Sequence, residues 1–294
     1  WTYGGHTFRS HGDHGLGPVD MVRSIVLSSN VYYYSLANEM GVDTIHDFMK
    51  PLGFGQITGI DLPGEVRGVL PSTEWKRKTY KRPEQQKWYG GETISLGIGQ
   101  GYNTFTMLQL ATATSALANG GWRHTPRVVR ATQDALTHQA QPTATSAATH
   151  LGFNPEHLSV IRNGLVGVTV GGTSAQVFAG ASYQSAGKTG TAQAVTIGQK
   201  DKYNAAKLTE HQRDHALYMA FAPADAPQIA VAAIVENAGF GAAHAAPIVR
   251  RVFDYWLLGQ YPSEEDIAAT QKGLTSRPVG TPRNKADITL GSTR

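Results

Sequence analysis

Ser185-Ala186-Gly187-Lys188-Thr189-Gly190-Thr191-Ala192-Gln193 places a cation, two hydroxyls and a residue without a side chain in four consecutive positions of a β-forming run. Such a stretch reads as an anion-recognition edge. The run extends from Tyr183 toward Val195. Two further runs, Ala216 to Ala222 and Ile229 to Glu236, are rich in β-forming apolar residues and are separated by the turn residues Pro223 to Pro227. Together the three predict an antiparallel meander. Alternate side chains share a face of a strand, so Lys188 and Gly190 would point one way and Thr189 and Thr191 the other, unless local twist gathers both sets around a ligand. Gly190 would let a substrate backbone lie against the strand edge.

Two motif matches in this stretch fail on structural grounds. Gly187-Lys188-Thr189 is the tail of a phosphate-binding G-x-x-x-x-G-K-[ST] loop, but the first glycine would have to stand at Ser182. Ser185-x-x-Lys188 matches the S-x-x-K of serine acyl-transfer enzymes in letters only. That motif needs a helix, where residues three apart share a face, and this segment reads as a strand.

With 294 residues, 40% hydrophobic and 16% charged, the chain can bury a substantial core in one large domain or two small ones. Lys plus Arg number 26 against 22 Asp plus Glu, a net charge of +4 that is too small over this length to argue for a nucleic-acid partner. The densest basic run, Lys76-Arg77-Lys78-Thr79-Tyr80-Lys81-Arg82, reads as a solvated loop. The absence of cysteine excludes disulfides, thiol nucleophiles and Cys-based zinc sites. No run approaches the roughly 18 apolar residues needed to span a bilayer. The first residue is Trp1 rather than methionine, which predicts a piece of a longer protein whose anchor or targeting segment lies elsewhere.

Outward from the strand, Trp1 to Gly17 mixes aromatics, glycines and His6, His11 and His14 without periodicity and reads as loop; Asp13 is the only nearby carboxylate, too little for a metal site. Met21, Ile25 and Leu27 predict a short helix stopped by Ser28-Ser29-Asn30. A second helix follows over Val31 to Met40 and ends at Gly41. The polar joint has two readings: Ser28 or Asn30 caps the following helix, or the joint offers a hydroxyl and an amide to a cleft. Val42 to Lys50 is a further helix, and Thr58 to Glu65 is turn chemistry. Ser95 to Gly101 is a glycine-rich loop before a helix over Met107 to Ala118 with capping-box spacing at Thr106 and Gln109. It is not a dinucleotide fingerprint, because Tyr102 interrupts the glycine pattern. Arg127 to Ala131 reads as a strand, Gln133 to Leu151 as a mobile loop, and Asn154-Pro155 as a helix start running to about Val168, broken by Gly171-Gly172-Thr173-Ser174. Pro247 to Leu258 carries the apolar stripe of a helix packed on a sheet. His211 and His215 are four apart but lack the acid of a metalloprotease motif.

Ser28-x-Asn30 on a helix joint, Lys188-Thr189-Gly190-Thr191 on a distant strand and a closing helix are two of the three motifs of penicillin-recognising serine acyltransferases, plus the packing that goes with them. The match extends to Ser95-Leu96-Gly97-Ile98-Gly99-Gln100-Gly101, to Thr58-Gly59-Ile60-Asp61-Leu62-Pro63-Gly64-Glu65 and to Asn30-Val31-Tyr32-Tyr33-Tyr34. In these segments, and from Trp1 to about Gly259, the chain resembles the class B penicillin-binding proteins, in particular those that cross-link peptidoglycan during cell elongation in rod-shaped Gram-negative bacteria.

The resemblance implies an α+β fold: an antiparallel sheet flanked by helices, with an all-helical subdomain, over residues 1–259. Residues 260–294, poor in core formers, are expected to be a disordered tail. The implied chemistry is a serine acyl-enzyme formed on the penultimate D-alanine of a stem peptide and resolved by an amine of a neighbouring strand. Ser28 would relay a proton to the leaving amine, and Asn30 would bind the substrate's amide. Lys188 would supply positive potential, Thr189 and Thr191 would bind the terminal carboxylate beside Gly190, and the Thr191 backbone N–H would serve the oxyanion. The implied ligands are stem peptides and β-lactams. Implied for the longer protein are an elongation-complex glycosyltransferase, a membrane anchor and a place on the periplasmic face of the inner membrane. No cofactor is implied.

The family's nucleophile belongs to an S-x-x-K upstream of S-x-N, and Ser10, Ser24, Ser28 and Ser29 each lack a lysine three residues on. The expectation is a chain that starts after the nucleophile and is inactive alone. The alternative is a non-catalytic relative that binds peptidoglycan or a partner. A class A β-lactamase is disfavoured, since no E-x-x-L-N segment is present. Some relatives hold a metal near S-x-N; here His14 could be its histidine, but Ser29 replaces the cysteine and Ser10 an aspartate, so no zinc is expected.

Overall fold

The computed structural model describes residues 1–10, 15–194, 208–274, 276–284 and 288. The chain forms two compact units, Trp1–Gly17 with Ser29–Leu158, and Pro18–Ser28 with Ser159–Arg294. The polar joint at Ser28 and Ser29 is therefore where the chain passes from one unit to the other.

The chain opens on a two-stranded antiparallel ribbon, β1 (Thr2–Tyr3) and β2 (His6–Thr7), in place of the expected loop. Helix α1 (Met21–Val26) belongs to the second unit and is capped by Asp20, whose Oδ1 accepts from the Arg23 N–H at 2.7 Å. In the first unit α2 (Asn30–Met40) ends at Gly41 with φ +75°, and α3 (Val42–Met49) follows at once. Next come α4 (Thr73–Thr79), α5 (Pro83–Gln86), α6 (Gly90–Leu96) and α7 (Met107–Ala118). The predicted capping box is present: Thr106 Oγ1 accepts from the Gln109 N–H, and Gln109 Oε1 accepts from the Thr106 N–H. Ser95 and Leu96 close α6 rather than lying in a loop. Leu52, Phe54, Leu70, Ala113 and Ala116 form the core of this unit.

Short ribbons replace two further expectations. Strand β3 (Trp122–Arg123) pairs with β6 (Thr149–His150), and β4 (Ala131–Gln133) pairs with β5 (Ala140–Pro142). The strand expected over Arg127 to Ala131 thus begins only at Ala131, because the N–H groups of Val128 and Val129 are taken by the Asp61 carboxylate at 2.6 and 2.9 Å.

The basic run also needs correction. Lys76 is buried, ion-paired with Glu92 and enclosed by the rings of Trp88, Tyr89 and Tyr102 at 5.3–5.5 Å. The other basic residues of the run, Arg77, Lys78, Lys81 and Arg82, face solvent.

The second unit is built on a three-stranded antiparallel meander, β7 (Ala186–Ala192), β8 (His215–Ala222) and β9 (Ile229–Val235), in the order β7-β8-β9. It is preceded by α8 (Pro155–Val170) and α9 (Ala175–Phe178) and covered by α10 (Gly241–Leu258). Ala216, Tyr218, Ala220 and Ala222, two apart on β8, meet Ala245, Ala246, Val249 and Phe253 of α10. Burying a side chain such as Phe253 or Val249 contributes roughly 1.5–3 kcal/mol. The helix starts six residues before the expected Pro247, which sits buried in its interior. On the other side, glycines of α8 admit α1: a Cβ on Gly164 would stand 2.7 Å from Ile25 Cδ1, and one on Gly167 2.5 Å from Val26 Cγ2. That close packing fixes where α1 ends, and so where Ser28 sits.

The expected tail is ordered over its described part. Strand β10 (Gln260–Tyr261) pairs with β11 (Arg283–Asn284), and α11 (Glu264–Gln271) lies between them, capped by Ser263. The reason is a buried charge pair rather than apolar content: Arg251 Nε on α10 donates to Asp266 Oδ2 at 2.7 Å, with Asp266 1% exposed.

Candidate active site

Two residues beyond α1, Ser28 stands in the left-handed region, φ +55°, its N–H donating to Ile25 O at 3.2 Å. A non-glycine residue held there costs of order 1 kcal/mol, which the packing of α1 on α8 offsets. In return its hydroxyl is aimed at the strand. Lys188 Nζ on β7 donates to Ser28 Oγ at 2.8 Å and to Thr189 O at 3.0 Å, with Thr189 Oγ1 at 3.5 Å. Two motifs 160 residues apart meet in that hydrogen bond.

Neither Ser28 nor Asn30 caps the next helix, as one reading expects. Ser29 is the N-cap residue of α2 without a side-chain bond, and Asn30 is the first helical residue. The first-turn N–H of Val31 is served instead by Ser10 Oγ at 3.2 Å. Asn30 lies in the first unit, one helical turn before the half-buried Tyr34.

On β7, Lys188 stands opposite Met219 and Gly190 opposite Leu217 on one face, while Thr189 opposite Tyr218 and Thr191 opposite Ala216 share the other. The alternation is as the sequence predicts. Burial pushes the Lys188 ammonium down to about 8, since hydroxyl and carbonyl oxygens replace water around it without a compensating charge. A lysine so placed can hold or release a proton near neutral pH and is suited to exchange one with the hydroxyl of Ser28.

The threonine face has a partner the sequence reading did not single out. The turn after α8 brings Thr173 to Thr189, hydroxyl to hydroxyl at 2.9 Å, and Ser174 to the hydroxyl of the buried Tyr218 at 2.9 Å. The only signal was two hydroxyl residues behind a glycine pair. Gly187 leaves room for that phenol, which a Cβ would approach to 2.5 Å. Tyr183, leading into β7, donates to Asp254 Oδ1 at 2.7 Å, and Arg250 Nε donates to the same carboxylate at 2.9 Å, tying the strand's approach to α10. Ser185 is buried, with no hydrogen-bond partner for its hydroxyl, and lies immediately before β7, not on a helix.

Gly190 admits a neighbour of its own chain: the first residue of α10. A Cβ on Gly241 would lie 2.5 Å from Gly190 O and 2.2 Å from Leu217 O. Gly241→Ala is expected to shift α10 from the β7–β8 pair and to lower the stability of the second unit by about 3 kcal/mol, read as a reduced urea midpoint. An unchanged midpoint would refute this packing account.

Among the described residues no three His, Cys, Asp or Glu side chains gather as for a metal ion. His11, Asp13 and His14 lie outside the described residues. His215 is on β8 and accepts from the Asn237 N–H at 3.0 Å, while His211 lies in a short 3-10 turn.

Residues 1–254 match the family described as the penicillin-binding protein transpeptidase domain. The chain is 45% identical over 257 residues to peptidoglycan D,D-transpeptidase MrdA of Acinetobacter baumannii, covering 86% of this chain and 37% of that protein. Among solved structures it is similar to Pseudomonas aeruginosa PBP2 in complex with WCK 5153, with TM-score 0.72 and 38% identity over 88% of this chain and 51% of that one. It is also similar to PBP2 of Helicobacter pylori, solved as a complex with MreC, with TM-score 0.73 and 27% identity over 88% of this chain and 44% of that one. The chain thus spans between about a third and a half of the length of these relatives. With its α+β architecture, its three-stranded meander under α10 and the family match over most of its length, the chain belongs to the penicillin-binding protein transpeptidase-domain family.

Proposed function

We propose that this chain is the part of a peptidoglycan D,D-transpeptidase that carries its proton relay and its carboxylate-binding strand. It would act with a nucleophilic serine from an S-x-x-K outside these 294 residues. The observation that carries the reading is the 2.8 Å hydrogen bond between Lys188 Nζ and Ser28 Oγ, which unites the two motifs. In this reading the nucleophile attacks the carbonyl of the penultimate D-alanine. As the C–N bond breaks, the Ser28 hydroxyl gives its proton to the departing amine, and Lys188 Nζ replaces it. Thr189 and Thr191 hold the terminal carboxylate, the Thr191 N–H serves the oxyanion, and Asn30 holds the substrate's amide. β-Lactams would enter as stem-peptide mimics. The longer protein would work on the periplasmic face of the inner membrane, held there by an anchor and joined to an elongation-complex glycosyltransferase. Relatives solved as a complex with MreC and as a peptidoglycan synthase complex support the idea of such partners.

Intact-mass spectrometry after incubation with benzylpenicillin tests this reading on the chain itself and on a version extended upstream through the S-x-x-K segment. The expected result is a covalent adduct on the extended protein only. An adduct on the 294-residue chain would make one of its own serines the nucleophile, while no adduct on either would point to a binding module instead.

A further inference from the structure

The segment that ends α8 is sewn to the meander by three hydroxyls. Thr169 Oγ1 donates to Ser185 O at 2.7 Å, Ser174 Oγ meets the Tyr218 hydroxyl at 2.9 Å, and Thr173 Oγ1 meets Thr189 Oγ1 at 2.9 Å. Thr169 and Ser174 lie inside the unit, where an unpaired hydroxyl is costly, so folding alone accounts for their bonds. Thr173 is different: it is exposed, and its partner Thr189 is only half-buried. Water could serve both hydroxyls there, so stability does not call for the bond. The backbone nevertheless holds Thr173 in place. A Cβ on Gly172 would stand 2.6 Å from Val26 O and 2.7 Å from Val168 Cα, and the Ser174 N–H donates to Val168 O at 3.2 Å. The turn that carries Thr173 therefore rests directly on the last residue of α1, two positions before Ser28.

The proton count gives this contact a direction. A hydroxyl carries one proton and two acceptor positions, and an ionised carboxylate only accepts. In the transpeptidase reading Thr189 holds the terminal carboxylate, so its one proton must point at the ligand. Thr189 Oγ1 can then only accept from its protein neighbours, and both are able to donate: Lys188 Nζ at 3.5 Å and Thr173 Oγ1 at 2.9 Å. With the pair reversed, Thr189 would donate to Thr173 and turn a lone pair toward the carboxylate, which repels it. Donation from Thr173 fixes the Thr189 hydroxyl in the binding orientation, and a hydroxyl that accepts a hydrogen bond is polarised into a stronger donor.

We propose that Thr173 is a positioning residue of the carboxylate site: its hydroxyl donates to Thr189 Oγ1 and thereby aims the single Thr189 proton at the terminal carboxylate of a stem peptide or β-lactam. The proposal rests on the transpeptidase reading for the ligand and on the second unit's geometry for the hydroxyl pair. The test uses the protein extended through its S-x-x-K segment and compares benzylpenicillin with its methyl ester, which keeps the β-lactam ring and loses the carboxylate charge. Thr173→Val, which puts a methyl in place of the hydroxyl, is expected to lower the second-order rate of acylation by benzylpenicillin about tenfold, the effect of one oriented hydrogen bond, and that by the ester by less than about twofold. Thr173→Ser, which keeps the hydroxyl, is expected to restore most of the rate with the acid. In a Thr189→Val background the same Thr173→Val change should lower either rate by less than about twofold, since its route to the carboxylate is gone. If the valine variant does not fold, Thr173→Ala measured against Thr173→Ser repeats the comparison. Equal losses with acid and ester, or no loss with either, would overturn the proposal. So would a full tenfold loss in the Thr189→Val background, which would mean that Thr173 acts without Thr189. An extended parent that benzylpenicillin never acylates would instead refute the transpeptidase reading, and the proposal would fall with its ligand; a parent acylated equally fast with and without the Thr173 hydroxyl refutes the proposal alone.

Discussion

Lys188→Met, placed in the protein extended through its S-x-x-K segment, is expected to slow acylation by benzylpenicillin by about 10²–10⁴-fold, the range lost when a positioned proton carrier is removed. In the folded chain the ammonium reaches Ser28 Oγ and Thr189 O, and burial pushes its pKa down to about 8. If the ammonium must give its proton to Ser28 during acylation, the parent rate should be level below about 8 and fall as pH rises above it. Lys188→Arg, which keeps the charge but does not deprotonate, should lose that fall. A rate independent of pH from 6 to 9 in the parent would remove the proton-carrier role and leave only an electrostatic one.

The same group makes a stability prediction of definite sign. Its folded pKa, about 8, lies below the unfolded value of 10.5, so between these pH values the unfolded chain binds more protons and the folded state gains stability as pH rises. The full gain is about 3 kcal/mol. The tyrosines Tyr34, Tyr183 and Tyr218, all raised by burial, act in the opposite sense above pH 10. They are common to both proteins, so the difference between parent and Lys188→Met isolates the lysine. Urea unfolding at pH 7, 8, 9 and 10 should show the parent gaining on the variant over this range. Parallel curves would mean that Lys188 is better solvated than its surroundings indicate.

Lys76→Ala is expected to carry the largest stability loss in the first unit, about 3–5 kcal/mol, because it leaves the Glu92 carboxylate enclosed without its cation. Burial alone would raise Glu92. Hydrogen bonds from Lys76, from the Tyr89 N–H at 2.9 Å and from the Tyr102 hydroxyl at 2.9 Å outweigh it and hold the carboxyl below its usual range. The pair's contribution is therefore present above pH 4.5 and lost as pH falls below it. Adding Glu92→Gln to Lys76→Ala should recover part of the loss, since the amide needs no counter-charge. A double variant no more stable than the single one would assign the cost to lost ring packing around the ammonium instead. The consequence reaches the site's framework within this unit. Glu92 stands in the first turn of α6, and the other end of that helix, at Gly97, lies so close to α2 that a Cβ would meet Tyr33 O at 2.5 Å.

Where local chemistry dominates, the elements could be read from residues alone. The meander, with its alternating Ala216, Tyr218, Ala220 and Ala222, follows from a period of two. The capping box at Thr106 and Gln109 and the Asn154-Pro155 start follow from the needs of unpaired helix N–H groups. The elements misread were those decided at long range. Lys76 looks like its solvated neighbours until Glu92 and three rings, 12–26 positions on, close over it. The segment after Tyr261 is poor in core-forming residues, yet one arginine of α10 orders its described part through Asp266. Helix α10 extends back through Pro247 because Gly241 can lie directly on the backbone of the sheet.

For the site the division is similar. The sequence by itself determined which groups are present: the Ser28-x-Asn30 joint, the Lys188-to-Thr191 strand and the alternation of its faces, since residue type and strand period need no partner. Only the tertiary structure decided that Lys188 meets Ser28 and that Thr173 joins Thr189. Both contacts depend on how closely α1 and the turn after α8 approach the sheet. The lowered proton affinity of Lys188 is likewise a property of its enclosure, because burial strips water from the ammonium and that cost exists only once the chain has folded around it.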